Sequence, residues 1–444
     1  MRIPNHLLET FAAVALPYLE KYSVMENALA IYLFLSSSIP FPIEDCRNGG
    51  REIIIRLMLP QNIVDASFAR ARGVCLIAVC LNFVTIADVV AQGPPDPPSR
   101  TIKGITWHWE TYQYAAPGSD LWPVTWGPDD QLYVAWGDGG GFGGTDSDGR
   151  VSMGFARIEG GPEHFQGFNV NGGKNPEHPA SFPKKGKTGG VLFDEGILYA
   201  NINLQDGQWP DVNHVLAWSS NKGANWAKSD WLFPKGVGSF QPARFLNFGK
   251  DGSGAPASLT GYVYLYGARQ EAQRNGSKSL YLTRVPREKI RDRDAFQFFS
   301  GLDSQGHARW NREFMSARSI FSDANGVAPG GMVYDPGLGC FLLTCFHTGP
   351  GQLGVFEARQ PWGPWSTIAY YDNWGGMGTI GEGLTCEFPQ KWMSADGLTL
   401  WGIFSVYGEG AKQGIKAHDR FNLIKITLSN ADGDKTGHAI EPVR

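Results

Sequence analysis

The chain has 444 residues, including 57 Gly, 28 Pro, 15 Trp, 15 Tyr and 26 Phe, with 18% charged residues and a net charge of -4. That balance excludes a coiled coil, a basic nucleic-acid binder and a disordered tail. Abundant glycine without a collagen period, joined to so many aromatics, is the composition of an all-β protein with tight turns and a stacking-rich binding face, for which sugar is the first ligand class.

Residues 1–69 mix an apolar stretch (ALAIYLFLSSSIPFPI, 28–43) with short polar pieces. They stand before an apparent signal peptide, so they are expected to be an upstream extension from a start placed too early, with Met58 the better start. Arg70-Ala-Arg72-Gly, then VCLIAVCLNFVTIA (74–87), then Val89-Val90-Ala91 supplies a charged region, a short apolar region and a small-residue cleavage site. The apolar run of about 14 residues falls short of the roughly 20 that span a bilayer. Segment 70–91 is therefore expected to be a cleaved signal peptide, and the mature chain a secreted or periplasmic monomer without membrane attachment. Of the six cysteines, none is in CxxC spacing. Export leaves Cys340, Cys345 and Cys386, read as buried thiols, with a Cys345–Cys386 bridge as the alternative.

Residues 92–102 (QGPPDPPSRTI) form a Pro-rich linker. From 103 to 444 short apolar runs recur between turns. They are LWPVTW, LYVAWGD and VSMGFARI; then GGVLFD, ILYANIN, HVLAWSS and SDWLF; then ARFLNFG, GYVYLYGA and SLYLTRV; then GGMVYD, CFLLTCF, GVFEA and WSTIAYY; and last EFPQKWM (387–393), LTLWGIFSVY and FNLIKITL. Five such units predict an all-β five-bladed β-propeller, which closes radially and limits exposed edges. The turns at Ser219–Trp226, similar to an Asp-box, and at Ser394–Thr399 are read as structural.

In a propeller the innermost strands start at one mouth, where the strands paired with them end. The starts carry Asp120, Lys187 with Thr188, Gln241, Pro329 and Glu387; the ends carry Asp138, Asn203, Arg269 with Glu271, His347 and Glu409. Asp120 and Asp138, at the two ends of one hairpin, supply the carboxyl pair that glycosidic cleavage needs. Asp120 is assigned as base and Asp138 as acid. Lys187, Gln241, Arg269, His347, Glu387 and Trp136 are assigned to substrate binding, although Glu387 also reads as a structural ion pair and the tryptophans mostly as core. His418-Asp419-Arg420 reads as a closure contact. No cofactor is expected, the sequence leaves a central structural cation open, and GGGFGG lacks the Lys-Ser/Thr of a phosphate loop.

SDLWPVTWGPDDQLYVAWGDGGG, SMGFARIEG, GVFEARQPWGPWSTI, FPQKWMSADGLTLW and HDRFNLIKITL together resemble the exported bacterial five-bladed propeller domain, long of unknown function, that includes endo-D-arabinanases. The resemblance runs over about residues 104–430 and implies a glycoside hydrolase acting on a polysaccharide, with Asp120 and Asp138 at the family's catalytic positions. The charged insertion REKIRDRDAF (287–296) departs from its pattern. A lyase would instead use Lys187, Arg269, His347 and Tyr407, and a binding propeller would keep the pocket without turnover.

Overall fold

The computed structural model describes residues 93–430, apart from 180–181, 183–184, 206–212, 274–275, 348–351, 377–381, 408–414 and 416. The expected extension, the signal peptide and Glu409 lie outside the described residues, as does the side chain of Tyr407. Strand β1 (Ile102–Ala115) comes first. The first blade is β2 (Asp120–Trp126), β3 (Leu132–Gly137), β4 (Met153–Glu159) and β5 (Gln166–Asn171). The second is β6 (Lys187–Asp194), β7 (Ile197–Asn203), β8 (His214–Ser219) and β9 (Ala227–Lys228). The third holds β10 (Phe240–Phe245), β11 (Tyr262–Arg269), β12 (Ser279–Pro286), β13 (Gln297–Leu302), β14 (Ala308–Asn311) and β15 (Phe321–Ser322). The fourth is β16 (Ala328–Asp335), β17 (Cys340–Phe346), β18 (Leu353–Ala358) and β19 (Ser366–Tyr370). The fifth begins with β20 (Glu382–Glu387), β21 (Thr399–Tyr407) and β22 (Phe421–Asn430).

Within each blade neighbouring strands pair antiparallel, and the inner strands touch in the cyclic order β2, β6, β10, β16, β20 and back to β2. The fold is a five-bladed β-propeller. Its fifth blade is completed by β1, whose ladder with β22 runs from Ile102–Asn430 to Ala115–Phe421. Among the described residues helix is confined to short 3-10 turns, and no helix is long and apolar enough to cross a membrane.

The strands read as unbroken apolar runs because both of their faces are buried. All of LYVAWG in β3 is buried: Leu132, Val134 and Trp136 face the cluster shared with the fifth blade, whereas Tyr133 and Ala135 face the cluster shared with the second. The two-residue period of a strand thus serves two interfaces at once, and each of the five interfaces has its own apolar cluster. Cys340, Cys345 and Cys386 are buried free thiols in this packing, so the alternative bridge is absent.

One feature recurs in every blade. The pairing of each inner strand with its neighbour shifts register close to the mouth, at Leu121/Val124, Thr188/Gly190, Pro242/Arg244, Pro329/Gly331 and Gly383/Thr385. Such bulges bend a strand and re-aim its side chains. Below them the inner strands converge so closely that a Cβ on Gly190 would lie 2.8 Å from the Arg244 Cα, and one on Gly331 would lie 2.7 Å from the Glu387 Cγ.

The fifth inner strand is expected at 387–393 and lies instead at β20, so that Glu387 ends the strand and does not open it at the mouth. Pro389 removes a donor, and a 3-10 turn at Gln390–Trp392 follows. Glu387 is instead part of the axis. From β10, Arg244 donates Nε to the Pro329 carbonyl at 3.3 Å, Nη1 to that of Gly189 and Nη2 to that of Leu384 at 2.8 Å. Its Nε also lies 3.5 Å from Glu387 Oε1, while Glu387 Oε2 accepts from the Val124 amide at 3.2 Å. One ion pair therefore ties all five inner strands.

The two turns are structural. Ser219 Oγ accepts the Gly223 amide at 2.8 Å, Asn221 Oδ1 accepts the Asn225 amide at 2.9 Å, and Trp226 stacks on Phe155 at 4.1 Å. Asp396 Oδ1 accepts from Ser394 Oγ at 2.5 Å and from the Leu398 amide at 3.0 Å. The insertion 287–296 follows Pro286, which pairs with Tyr262 at the end of β11 opposite Arg269. Its Arg287 pairs with Asp194 at 3.0 Å and its Arg291 covers Trp218 at 4.5 Å, so it packs on the second blade away from the mouth.

Candidate active site

The bulged starts of the inner strands and the ends of their partners enclose a cavity of 360 Å³. Lys187, Gln241, Arg269 and His347 all line it, with Leu121 of the first blade on its rim. Asn203, Glu271 and Pro329 from the expected mouth positions line it as well.

Asp120 and Asp138 lie together beside this cavity. Asp120 opens β2 opposite Gly137, and Asp138 follows Gly137 directly. Lys187 links them to the cavity: its Nζ is 2.5 Å from Asp138 Oδ1, while Arg150 Nη2 approaches the same oxygen at 3.4 Å. The Asp120 carboxyl packs over Gly137, where a Cβ would strike its Oδ1 and come within 3.0 Å of the Lys187 side chain. Gly137→Ala is therefore expected to displace Asp120 and lower turnover without loss of fold, checked by comparing rate with melting temperature; an unchanged rate would show that the position of Asp120 is immaterial.

The backbone here is strained. Leu121, Trp122 and Asp138 have φ of 72°, 65° and 54°, values that bulky residues seldom adopt. Surrounding contacts hold them: Trp122 is fully buried and donates Nε1 to the Ser119 carbonyl at 3.0 Å, and Thr385 Oγ1 donates to the Leu121 carbonyl.

The two carboxylates differ in environment. Burial raises Asp120 to about 7; Lys187 pulls it down, and Asp138 and Asp419 push it further up. Its Oδ1 is buried and accepts no hydrogen bond from the described residues. Asp138 is more exposed and faces two cations. In the cavity wall, burial lowers His347, which stacks on Tyr370 at 3.8 Å, and lowers His214 to about 4.

Two expected contacts do not reach the cavity. Trp136 is fully buried, stacked with Trp122 at 6.0 Å in the core between the fifth and first blades, so it presents no face to a sugar. Glu387 lines a separate small hollow with Val124, Asn247 and Met332, and burial raises it to about 7 against the pull of Arg244. Conversely Arg150 and His214 carry no site motif, and Asp419 reads in the sequence only as part of a closure contact, yet all three lie at the site. The Asp419 carbonyl accepts the Gly118 amide at 2.8 Å, which makes the closure contact. Its carboxyl, raised by burial, also lies within electrostatic reach of Asp138 and Asp120. Its only sequence signal was an acid just before the last strand. Among the described residues no group of three or more His, Cys, Asp or Glu could hold a metal ion.

Residues 199–379 match the family model of a domain of unknown function, DUF4185. The match begins in β7 and ends beyond β19, so Asp120 and Asp138 precede it. No curated protein matches the chain in sequence. Solved structures similar to it include a β-xylosidase (14% identity, TM-score 0.42, covering 75% of this chain and 98% of that one). A GH43_1 enzyme from Xanthomonas citri follows at 12% identity and TM-score 0.41, covering 73% and 93%. An α-L-arabinofuranosidase from Podospora anserina, in complex with cellotriose, has 11% identity and TM-score 0.37, covering 77% and 96%. At these scores the likenesses carry no argument about this chain's chemistry.

Proposed function

We propose that this chain, a five-bladed propeller whose residues 199–379 match the DUF4185 model, is an exported glycoside hydrolase that cleaves within a polysaccharide, with Asp120 and Asp138 as its acid and base. The observation that carries the reading is the contrast between two neighbouring carboxyls that flank Lys187 of the cavity wall without lining the cavity themselves, since catalysis needs one protonated and one ionised. The two environments favour the opposite assignment of roles to the one expected from sequence. Asp120, desolvated and raised to about 7, keeps its proton near neutral pH and serves as general acid. Asp138, beside Lys187 and Arg150, is the carboxylate that activates a water in an inverting reaction. The resemblance to endo-D-arabinanases makes arabinan the first substrate to try.

The test is release of reducing ends from a panel of polysaccharides that includes arabinan and uronate polymers. The assigned roles fix the sign of the pH dependence. Turnover requires the proton on Asp120, so kcat should fall by about tenfold per pH unit above about 7, and Asp120→Asn should abolish that limb along with most of the activity. A high-pH limb that survives in the residual activity of Asp120→Asn would assign the proton elsewhere.

The second reading is a polysaccharide lyase, favoured by Lys187, Arg269 and His347 sharing one cavity. Its product would carry an unsaturated uronate absorbing in the near ultraviolet, which a hydrolase product lacks. Binding without turnover across the panel would leave a carbohydrate-binding propeller.

A further inference from the structure

The cavity wall holds buried polar groups without hydrogen-bond partners among the described residues. Of the three permanent cations lining the cavity, Lys187 is engaged by Asp138 and Arg244 by three carbonyls and Glu387. Arg269 is different. Its guanidinium lies over the rings of Tyr281 and Phe314 at 5.3 and 5.5 Å, and its Nε is buried without a hydrogen-bond acceptor among the described residues. The described lining holds one carboxylate, Glu271, and no ion pair joins it to Arg269 at 4.0 Å or less. Two histidines complete the wall. Among the described residues neither ring nitrogen of His214, 9% exposed, has a hydrogen-bond partner, nor has Nε2 of His347, 2% exposed.

Buried polar groups ordinarily find partners within a protein. Such a set, gathered on one wall of an open cavity, is built for a ligand's oxygens. The planar fork of an arginine suits a carboxylate, and the two aromatic faces beneath it hold the fork in place. Histidines kept neutral by burial can both donate to and accept from sugar hydroxyls.

We propose that this wall is a subsite for a sugar unit bearing a carboxylate, with Arg269 gripping the carboxylate and His214 and His347 reading hydroxyls, so that the substrate is an acidic polysaccharide. The inference rests on reading the cavity as the sugar site. His214 belongs to the second blade, Arg269 to the third, His347 to the fourth and the aspartates to the first, so the acidic unit occupies a position next to the bond that is cleaved.

The experiment is calorimetric titration of the whole protein with tri-galacturonate and, as its neutral counterpart, tri-galactose, at low and high salt. The expected result is binding of tri-galacturonate at least about tenfold tighter, with the advantage shrinking as salt rises. In Arg269→Gln the ratio between the two ligands should fall to near one. Arg269→Lys, which keeps the charge and loses the fork, should retain part of it, and circular dichroism would confirm that each variant is folded. Equal affinity for the two ligands, no binding of tri-galacturonate, or an undiminished ratio in Arg269→Gln would each overturn the subsite. A preference transferred to a sulfated trisaccharide would also overturn it, in favour of a tetrahedral anion. The two readings fail separately. If arabinan is cleaved in an Asp138-dependent way and no acidic preference exists, only the subsite falls; if the Arg269-dependent preference exists and no polymer of either charge is cleaved, only the hydrolase falls.

Discussion

Changing Asp120 or Asp138 to Asn is expected to slow polysaccharide cleavage by about 10²- to 10⁴-fold, the range that a positioned acid or base supplies. Folding should be unaffected. Asn keeps the size of Asp, and at Asp120 it replaces a desolvated carboxyl that is largely protonated below about 7. At Asp138 the lost charge leaves the half-exposed Arg150 and the buried Lys187 Nζ facing an amide oxygen that can still accept from them, so a lowered melting temperature without loss of the fold is expected. The measurement pairs initial rates on a cleaved polymer with melting temperature. Full activity in either variant would place the chemistry elsewhere, and a variant that no longer folds would make the residue a structural cap.

Arg244→Met should have the largest effect on stability. It removes the donors to the Gly189, Pro329 and Leu384 carbonyls and strands Glu387 in the packed axis. Removing one member of a buried ion pair costs about 3–5 kcal/mol, whereas replacing both with apolar groups is often close to neutral. In urea denaturation the single variant should therefore lose several kcal/mol, and Arg244→Met with Glu387→Leu should regain a good part of it. Here the carbonyls left without donors limit the recovery. A loss below about 1 kcal/mol for the single variant would mean that the pair does not hold the blades together.

The axis also shows where the sequence was readable and where it was not. Runs such as LYVAWG and CFLLTCF announced their strands because both faces are buried, which leaves no polar residue to blur the signal. The same double burial hid which tryptophans face a ligand, since alternation carries no mark of the mouth, and Trp136 went to the core. Strand β20 was misplaced because its EGLTCE has the glycine and small residues that a crowded axis demands, whereas the aromatic FPQKW after it looks more like a strand. Strand β1, IKGITWHWETYQYA, was not among the expected runs because as an outermost strand it is mostly half-exposed and lacks a clean apolar face. Of the mouth positions at the second-strand ends, Asn203, Arg269, Glu271 and His347 were legible from strand length. What Asp419 adds was not, because it depends on a contact between residues about 300 positions apart in the chain.

That contact couples assembly of the ring to completion of the candidate site. The β1–β22 ladder ends at Ala115 and Phe421, a few residues from Asp120 on one side and Asp419 on the other. The seam that closes the ring therefore runs through the site, and the Gly118 amide meets the Asp419 carbonyl only when the first strand has docked on the last blade. Contacts of such long sequence separation form late. A refolding chain would pass through an open arc of blades with native strands and no catalytic power, and recovered turnover would report the final stitch of the ring. Since an unclosed arc exposes β22 as a bare edge ready to pair with another chain, the same stitch that completes the candidate site also covers an aggregation-prone edge.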